Sequence, residues 1–193
     1  MKIFSAVYDS YHQAERTVAD LEAAGIPHSE ISLIANKYVS DVYENVEEVS
    51  GARTGAGVGA AVGGGAGLLA GIGLLAIPGL GPVVAAGWLA ATAVGAIAGT
   101  AAGGIVGALV DAGTDKPTAE VYSETVRRGG TLVTVRSAND AVPVQAILDR
   151  HSPVDAAARR REYEQAGWVT FDPSAPAVRP DAATIERMRR RYD

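Results

Sequence analysis

Cysteine is absent from the 193-residue chain. That excludes a disulfide framework, Cys-ligated zinc, iron–sulfur clusters and a thiol nucleophile. Histidine is scarce: His12, His28 and His151 stand too far apart to read as a metal-binding tract. No metal and no cofactor is expected. A net charge of −5 argues against a nucleic-acid coat, so nucleic acid is not among the expected partners. There is no G-x-x-x-x-G-K-S/T phosphate loop. The run Gly55-Ala56-Gly57-Val58-Gly59-Ala60 does match G-x-G-x-x-A. However, it follows a poor strand, and no acid comes before Asp111, so it reads as a chance match in a glycine-rich tract.

The longest absence is of charge. Thr54 to Val110 contains no Asp, Glu, Lys, Arg or His, yet holds 17 of the 23 glycines. The polar residues flank it, which divides the chain into four parts. Residues 1–53 read as the βαβ half of an α+β domain, 54–110 as a helical hairpin, 111–155 as the second half of the domain, and 156–193 as an Arg-rich helical tail.

The polar parts carry ordinary punctuation. Residues 2–8 and 31–35 have strand character. Between them, Ser10 with Gln13 starts a helix, Ala14, Val18 and Leu21 line its inner face, and Gly25 closes it. In the second half, Pro117 opens a helix faced by Ala119, Tyr122 and Val126, and Gly129-Gly130 ends it. A strand over 131–136, a helix over 140–150 with Val144, Ile147 and Leu148 inward, and an edge strand near Val154 complete the set. The sum is a small α+β sandwich of split ferredoxin-like type, with the glycine-rich part inserted between its second and third strands.

Within that insert, Gly55, Gly59, Gly63, Gly67 and Gly71 recur every four residues. So do Gly87, Ala91, Gly95, Gly99, Gly103 and Gly107. On a helix each series makes one smooth face, suited to close backbone packing. Pro78, Gly79, Gly81 and Pro82 mark a turn at 78–82. The arms 54–77 and 83–110 are long enough to cross a bilayer as two transmembrane helices. Asp111 and Asp115 then end the second span. Polar residues return at Asp9, so the N-terminus does not read as a signal peptide. Both termini are expected in the cytoplasm, at a bacterial cytoplasmic membrane. The alternative is a cytoplasmic oligomer whose hairpins bury one another. Either way the expected partner is a second copy of the chain, and in the first case the bilayer also.

Catalytic residues are not evident. Glu44, Glu47 and Glu48 read as a solvated face, and nothing brings Ser, His and Asp together, so no enzyme is expected. In the tail, Arg159, Arg160 and Arg161 form one basic run and Arg187, Arg189, Arg190 and Arg191 another. These are candidate contacts for an anionic surface. Trp168 and Phe171 are expected to anchor the tail onto the domain or onto a neighbouring subunit.

Several runs together resemble a known family. Val7-Tyr8-Asp9-Ser10 with Ala14-Glu15, Leu75 to Pro82, Gly104 to Leu109, and Tyr122 with Arg128 to Val133 are similar to the general stress protein 17M-like, or YflT-type, domain. The signature around Pro78 to Pro82 is also that of the low-temperature-induced proteins of cyanobacteria. The resemblance covers residues 2–150. It implies a bacterial stress-associated protein with a glycine-zipper segment, and it brings no catalytic residue. The ligand, if any, stays unspecified.

Overall fold

The computed structural model describes residues 2–36, 73–77, 81–89, 104–138 and 142–179. β1 (Lys2–Tyr8) leads into α1 (Tyr11–Ala23), a 3-10 turn (His28–Glu30) and β2 (Ile31–Asn36). β3 (Gly73–Ile77) and β4 (Gly81–Ala86) follow. Then come α2 (Ile105–Asp111), α3 (Lys116–Arg127), β5 (Thr131–Ser137), α4 (Val144–Arg150) and α5 (Ala156–Gln165).

Local signals set the helix ends. Ser10 Oγ accepts from the Gln13 amide and donates to Gln13 Oε1 at 3.0 Å. At the other end of α1, the Ile26 amide donates to Leu21 O and the Gly25 amide to Glu22 O. This double closure satisfies two carbonyls that the helix leaves open. α3 begins the same way, with Asp115 Oδ1 accepting from the Thr118 amide at 3.0 Å. Asp115 is therefore the N-cap of α3, and Asp111 is the last residue of α2.

The five strands form one antiparallel sheet in the order β1-β5-β2-β4-β3. β5 pairs with β1 (Phe4↔Val135, Ala6↔Val133) and with β2 (Leu33↔Val133). β1 and β2 therefore run parallel with β5 between them, the split βαβ arrangement expected from the sequence. α1 and α4 cover one face, packing Ala14, Val18, Leu21, Ile147 and Leu148 on Leu33, Ala35, Val133 and Val135. Buried Tyr8 adds a hydrogen bond from its hydroxyl to Leu148 O at 2.9 Å, and burial pushes the phenol up to about 12.

Two expectations need correction. The sandwich has three layers, because α2 and α3 pack Ile105, Leu109, Ala119 and Val126 on the opposite sheet face at Val7, Ile34 and Leu132. All six residues of β2 are buried, and a strand buried on both faces needs cover on both. The edge strand near Val154 is reduced to one hydrogen bond, Val154 N to Val7 O at 2.8 Å.

The second correction concerns the helical hairpin. Residues 73–77 and 83–86 of its two arms are strands β3 and β4, paired with each other and, through β4, with β2 (Leu33↔Ala86, Asn36↔Val83). Gly81 and Pro82, expected in the turn, are the first residues of β4. Gly87 is not part of a helix groove. It follows β4 with φ +91°, and a Cβ there would stand 2.3 Å from Ile31 O and 2.6 Å from Ser32 Cα. Only glycine lets the chain pass the backbone of β2 this closely. Among the described residues, no helix is long and apolar enough to cross a membrane.

We predict that Gly87→Ala costs about 3 kcal/mol or more, because strained φ and backbone overlap coincide. Gly25→Ala has φ +89° but open space around the added Cβ, and should cost about 1 kcal/mol. Urea unfolding of the two variants checks this. Equal losses would mean that the close approach to β2 is not held in solution.

Candidate functional site

Three distant parts of the chain meet where α3 ends. At their centre lies Glu124, a carboxylate with no exposed surface. Such a charge is costly unless paired and hydrogen-bonded. Arg127 grips it with both arms of its guanidinium, Nε to Oε2 at 2.8 Å and Nη2 to Oε1. Arg128 Nε donates to Oε1 as well. The i,i+3 and i,i+4 spacings on one helix bring the three side chains together. The ion pair in turn pushes the Arg127 guanidinium further up from its ordinary value.

Arg128 also stacks on the ring of Tyr163 from α5, at 4.4 Å from the centroid. The Tyr163 hydroxyl meets Thr125 Oγ1 at 3.0 Å, so α5 is joined to α3 through this ring. Trp168 stands edge-on to Tyr163 at 5.8 Å.

Beyond α5 the chain runs back over α3 without regular structure. Phe171 is buried in the cluster that holds Val7, Ile34 and Leu132, with Trp168 packed against it. Both anchor the tail as the sequence led one to expect. Asp172 takes hydrogen bonds from the Ser174 amide (2.8 Å) and hydroxyl (2.6 Å), which hold its carboxyl below the ordinary value. Further along, Arg127 Nη1 donates to Pro176 O at 3.0 Å, and the Val178 amide donates to Arg127 O at 2.9 Å. Asn36, the last residue of β2, donates through Nδ2 to Arg127 O (2.7 Å) and Val178 O (3.2 Å). The helix-end carbonyl of Arg127, which has no partner within α3, thus gains two. Residues 166–179 form a strap across this junction.

Of the residues the sequence singles out, few belong to the junction. Gly55, Gly59, Gly63, Gly67, Gly71, Gly95, Gly99, Gly103, Pro78 and Gly79 lie outside the described residues, as do Arg187, Arg189, Arg190 and Arg191. Gly107 sits half-buried in α2. Arg159 bonds Asp9 at 2.8 Å and Glu162 at 2.9 Å, and Arg160 bonds Glu164 at 2.9 Å while lying over Trp168. These two guanidiniums are engaged within the chain, whereas Arg161 is exposed. Glu124, Arg127, Arg128 and Asn36 were not anticipated. The available signal was an acid three and four residues ahead of two arginines.

A second polar cluster pins α4 to α1. Asp20 accepts from Arg150 Nη1 at 2.8 Å and stands 3.0 Å from His151 Nε2. Gln13 Nε2 donates to His151 O at 3.1 Å. The hydrogen bond from His151 and then Arg150 hold the Asp20 carboxyl below its ordinary value. Among the described residues, no group of three His, Asp or Glu side chains is placed to hold a metal ion.

Two outcomes are expected. Arg127→Ala leaves Glu124 buried with Arg128 alone, and should cost about 3 kcal/mol in urea unfolding. Arg127→Lys should restore less than half of it, because an ammonium cannot reproduce the two-armed contact. Full restoration by lysine would remove the geometric argument. For Asp20, the lowered pKa makes its contribution complete above the ordinary carboxyl value of 3.8 and lost as pH falls below it. The wild type should therefore melt above Asp20→Asn at neutral pH, and the gap should close below about pH 4. A gap independent of pH would show that the charge of Asp20 is not what matters.

Compared with family models, curated proteins and solved structures, the chain matches none of them, so its function has to be argued from this geometry.

Proposed function

We propose that the chain is a non-catalytic, stress-associated assembly module that self-associates through its glycine-rich stretches, with the three-layer α+β domain as their mount. The reading takes up the protein–protein alternative in place of the bilayer one. The observation that carries it is the position of β3 and β4. A bilayer hairpin needs the turn after Ile77 to stand a membrane's ~30 Å core away from the domain. The flanking pairs Ile77↔Gly81 and Asn36↔Val83 instead put both sides of that turn in the sheet beside β2.

The second stretch supports the same reading. Leu89 and Ile105 pack in one apolar cluster, and only fourteen residues, 90–103, lie between Leu89 and Gly104. As a helix they would extend ~21 Å, short of a bilayer core. A smooth face of small residues packs against protein as readily as it packs in lipid, given a partner of matching shape. The stress setting rests on the resemblance at residues 2–150, and the split ferredoxin-like classification on the β1-β5-β2 order together with α1 and α4 on one face.

The test is carbonate washing of cells expressing the untagged chain at low level, followed by light scattering on the released protein. The expected result is release from the pellet as a defined oligomer, with Gly63→Leu and Gly99→Leu each weakening self-association at least tenfold, about 1.4 kcal/mol. Retention in the washed pellet would restore the bilayer reading. A monomer at every concentration would end the self-association reading.

A further inference from the structure

We propose that residues 166–179 are an exchangeable strap, and that the groove beneath them takes the same segment from a second copy of the chain. The proposal rests on the self-association reading and adds a second contact between two copies, beside the glycine-rich stretches.

The groove is defined by its resident occupant. Its floor is the apolar cluster of the sheet face under α3, of which Phe171 is a member, and its wall is the last turn of α3 with Asn36. Recognition uses two aromatic side chains, Phe171 and Trp168, and three main-chain atoms of the strap: Pro176 O meets Arg127 Nη1, Val178 N meets Arg127 O, and Val178 O meets Asn36 Nδ2. Those contacts do not depend on which copy supplies the segment. An identical segment from a neighbour makes them equally well, which is why exchange of an element between protomers is inexpensive.

The strap also has the form of a segment that can leave. Phe171, 9% exposed, is its one buried side chain, while Val169 is 79% exposed and Val178 40%. Those two are among only three large apolar residues exposed in the described part of the chain. The exposed residues of the strap are mixed, with Val169 and Val178 beside Thr170, Asp172, Ser174 and Arg179. Between Trp168, which packs against Tyr163, and buried Phe171 the chain runs through exposed residues 169 and 170. That is a place where the backbone can change direction without disturbing packed side chains. In one chain the strap is held near its groove by the tether, so a neighbour's strap competes only when concentration is high or the resident is weakened.

The experiment uses the full chain and a fluorescein-labelled peptide of residues 166–179. Phe171→Ala in the chain weakens the resident and leaves the groove intact, so this variant should capture the peptide. The wild-type chain should bind it at least tenfold more weakly, and a peptide carrying Phe171→Ala should lose at least tenfold. Val178→Pro in the chain, which removes the strap's donor to Arg127 O and restricts the backbone around it, serves if Phe171→Ala does not fold. A folded variant that fails to bind the peptide, or that binds both peptides alike, overturns the proposal. Light scattering separates it from its parent. An oligomer without peptide capture defeats the strap alone, whereas peptide capture by a chain that stays monomeric supports the groove and defeats self-association.

Discussion

The fold depends on β5 lying between β1 and β2. The strands at the start of the chain run parallel and do not touch each other, so no sheet exists among the first 36 residues until Thr131–Ser137 slides between them. Everything else attaches to that pairing. β3 and β4 extend the sheet only through β2, and the two helix layers have a floor only once β1, β5 and β2 are joined. The pairing partners are about 100 residues apart for β2 and about 130 for β1, so the loop-closure cost falls on this step. The region between them must therefore be compatible with a closed sheet, and that condition bears on how the glycine-rich part is used.

The glycine-rich part was the hardest to read, for a physical reason. Repeats of four point to one face of a helix, and that argument is sound for residues that are helical. Gly is nonetheless a poor helix former, and a short apolar run bounded by Gly and Pro has no periodicity that separates strand from helix. Leu74-Leu75-Ala76-Ile77 and Val83-Val84-Ala85-Ala86 are such runs, and the Pro-Gly-Leu-Gly-Pro between them serves a β-hairpin as well as a helical one. The β-branched pair Val83-Val84 was the available clue. Gly87 belonged to the four-residue series by number only: its positive φ and its contact with β2 come from the strand that precedes it.

The capped helices and β5 were legible because their signals are local. Ser10, Gly25, Asp115 with Pro117, and Gly129-Gly130 each act on backbone groups within four residues. The junction at the end of α3 was not legible, because its partners lie far apart in the chain. Asn36 and Arg127 are 91 residues apart, and Arg159 and Asp9 are 150 apart. A run of arginines looks like exposed charge until the fold supplies an acid or an aromatic ring to some of its members. Arg159 and Arg160 gained Asp9, Glu164 and the rings of Tyr163 and Trp168 in this way.

The choice of a buried ion pair at that junction has a consequence of its own. Well-packed apolar residues in place of Glu124 and Arg127 could stabilise α3 as well or better, since desolvation offsets most of the Coulomb gain. They could not satisfy Pro176 O. Arg127 has donors enough to hold Glu124 with two nitrogens and the strap with a third. When the strap leaves, Nη1, Pro176 O and Val178 N exchange one another for water, which costs little net free energy. The apolar part of the attachment is confined to Phe171 and the edge of Trp168. A junction built this way holds the strap in place yet leaves its release within reach of ordinary thermal and mass-action forces, while Glu124 stays paired beneath it throughout.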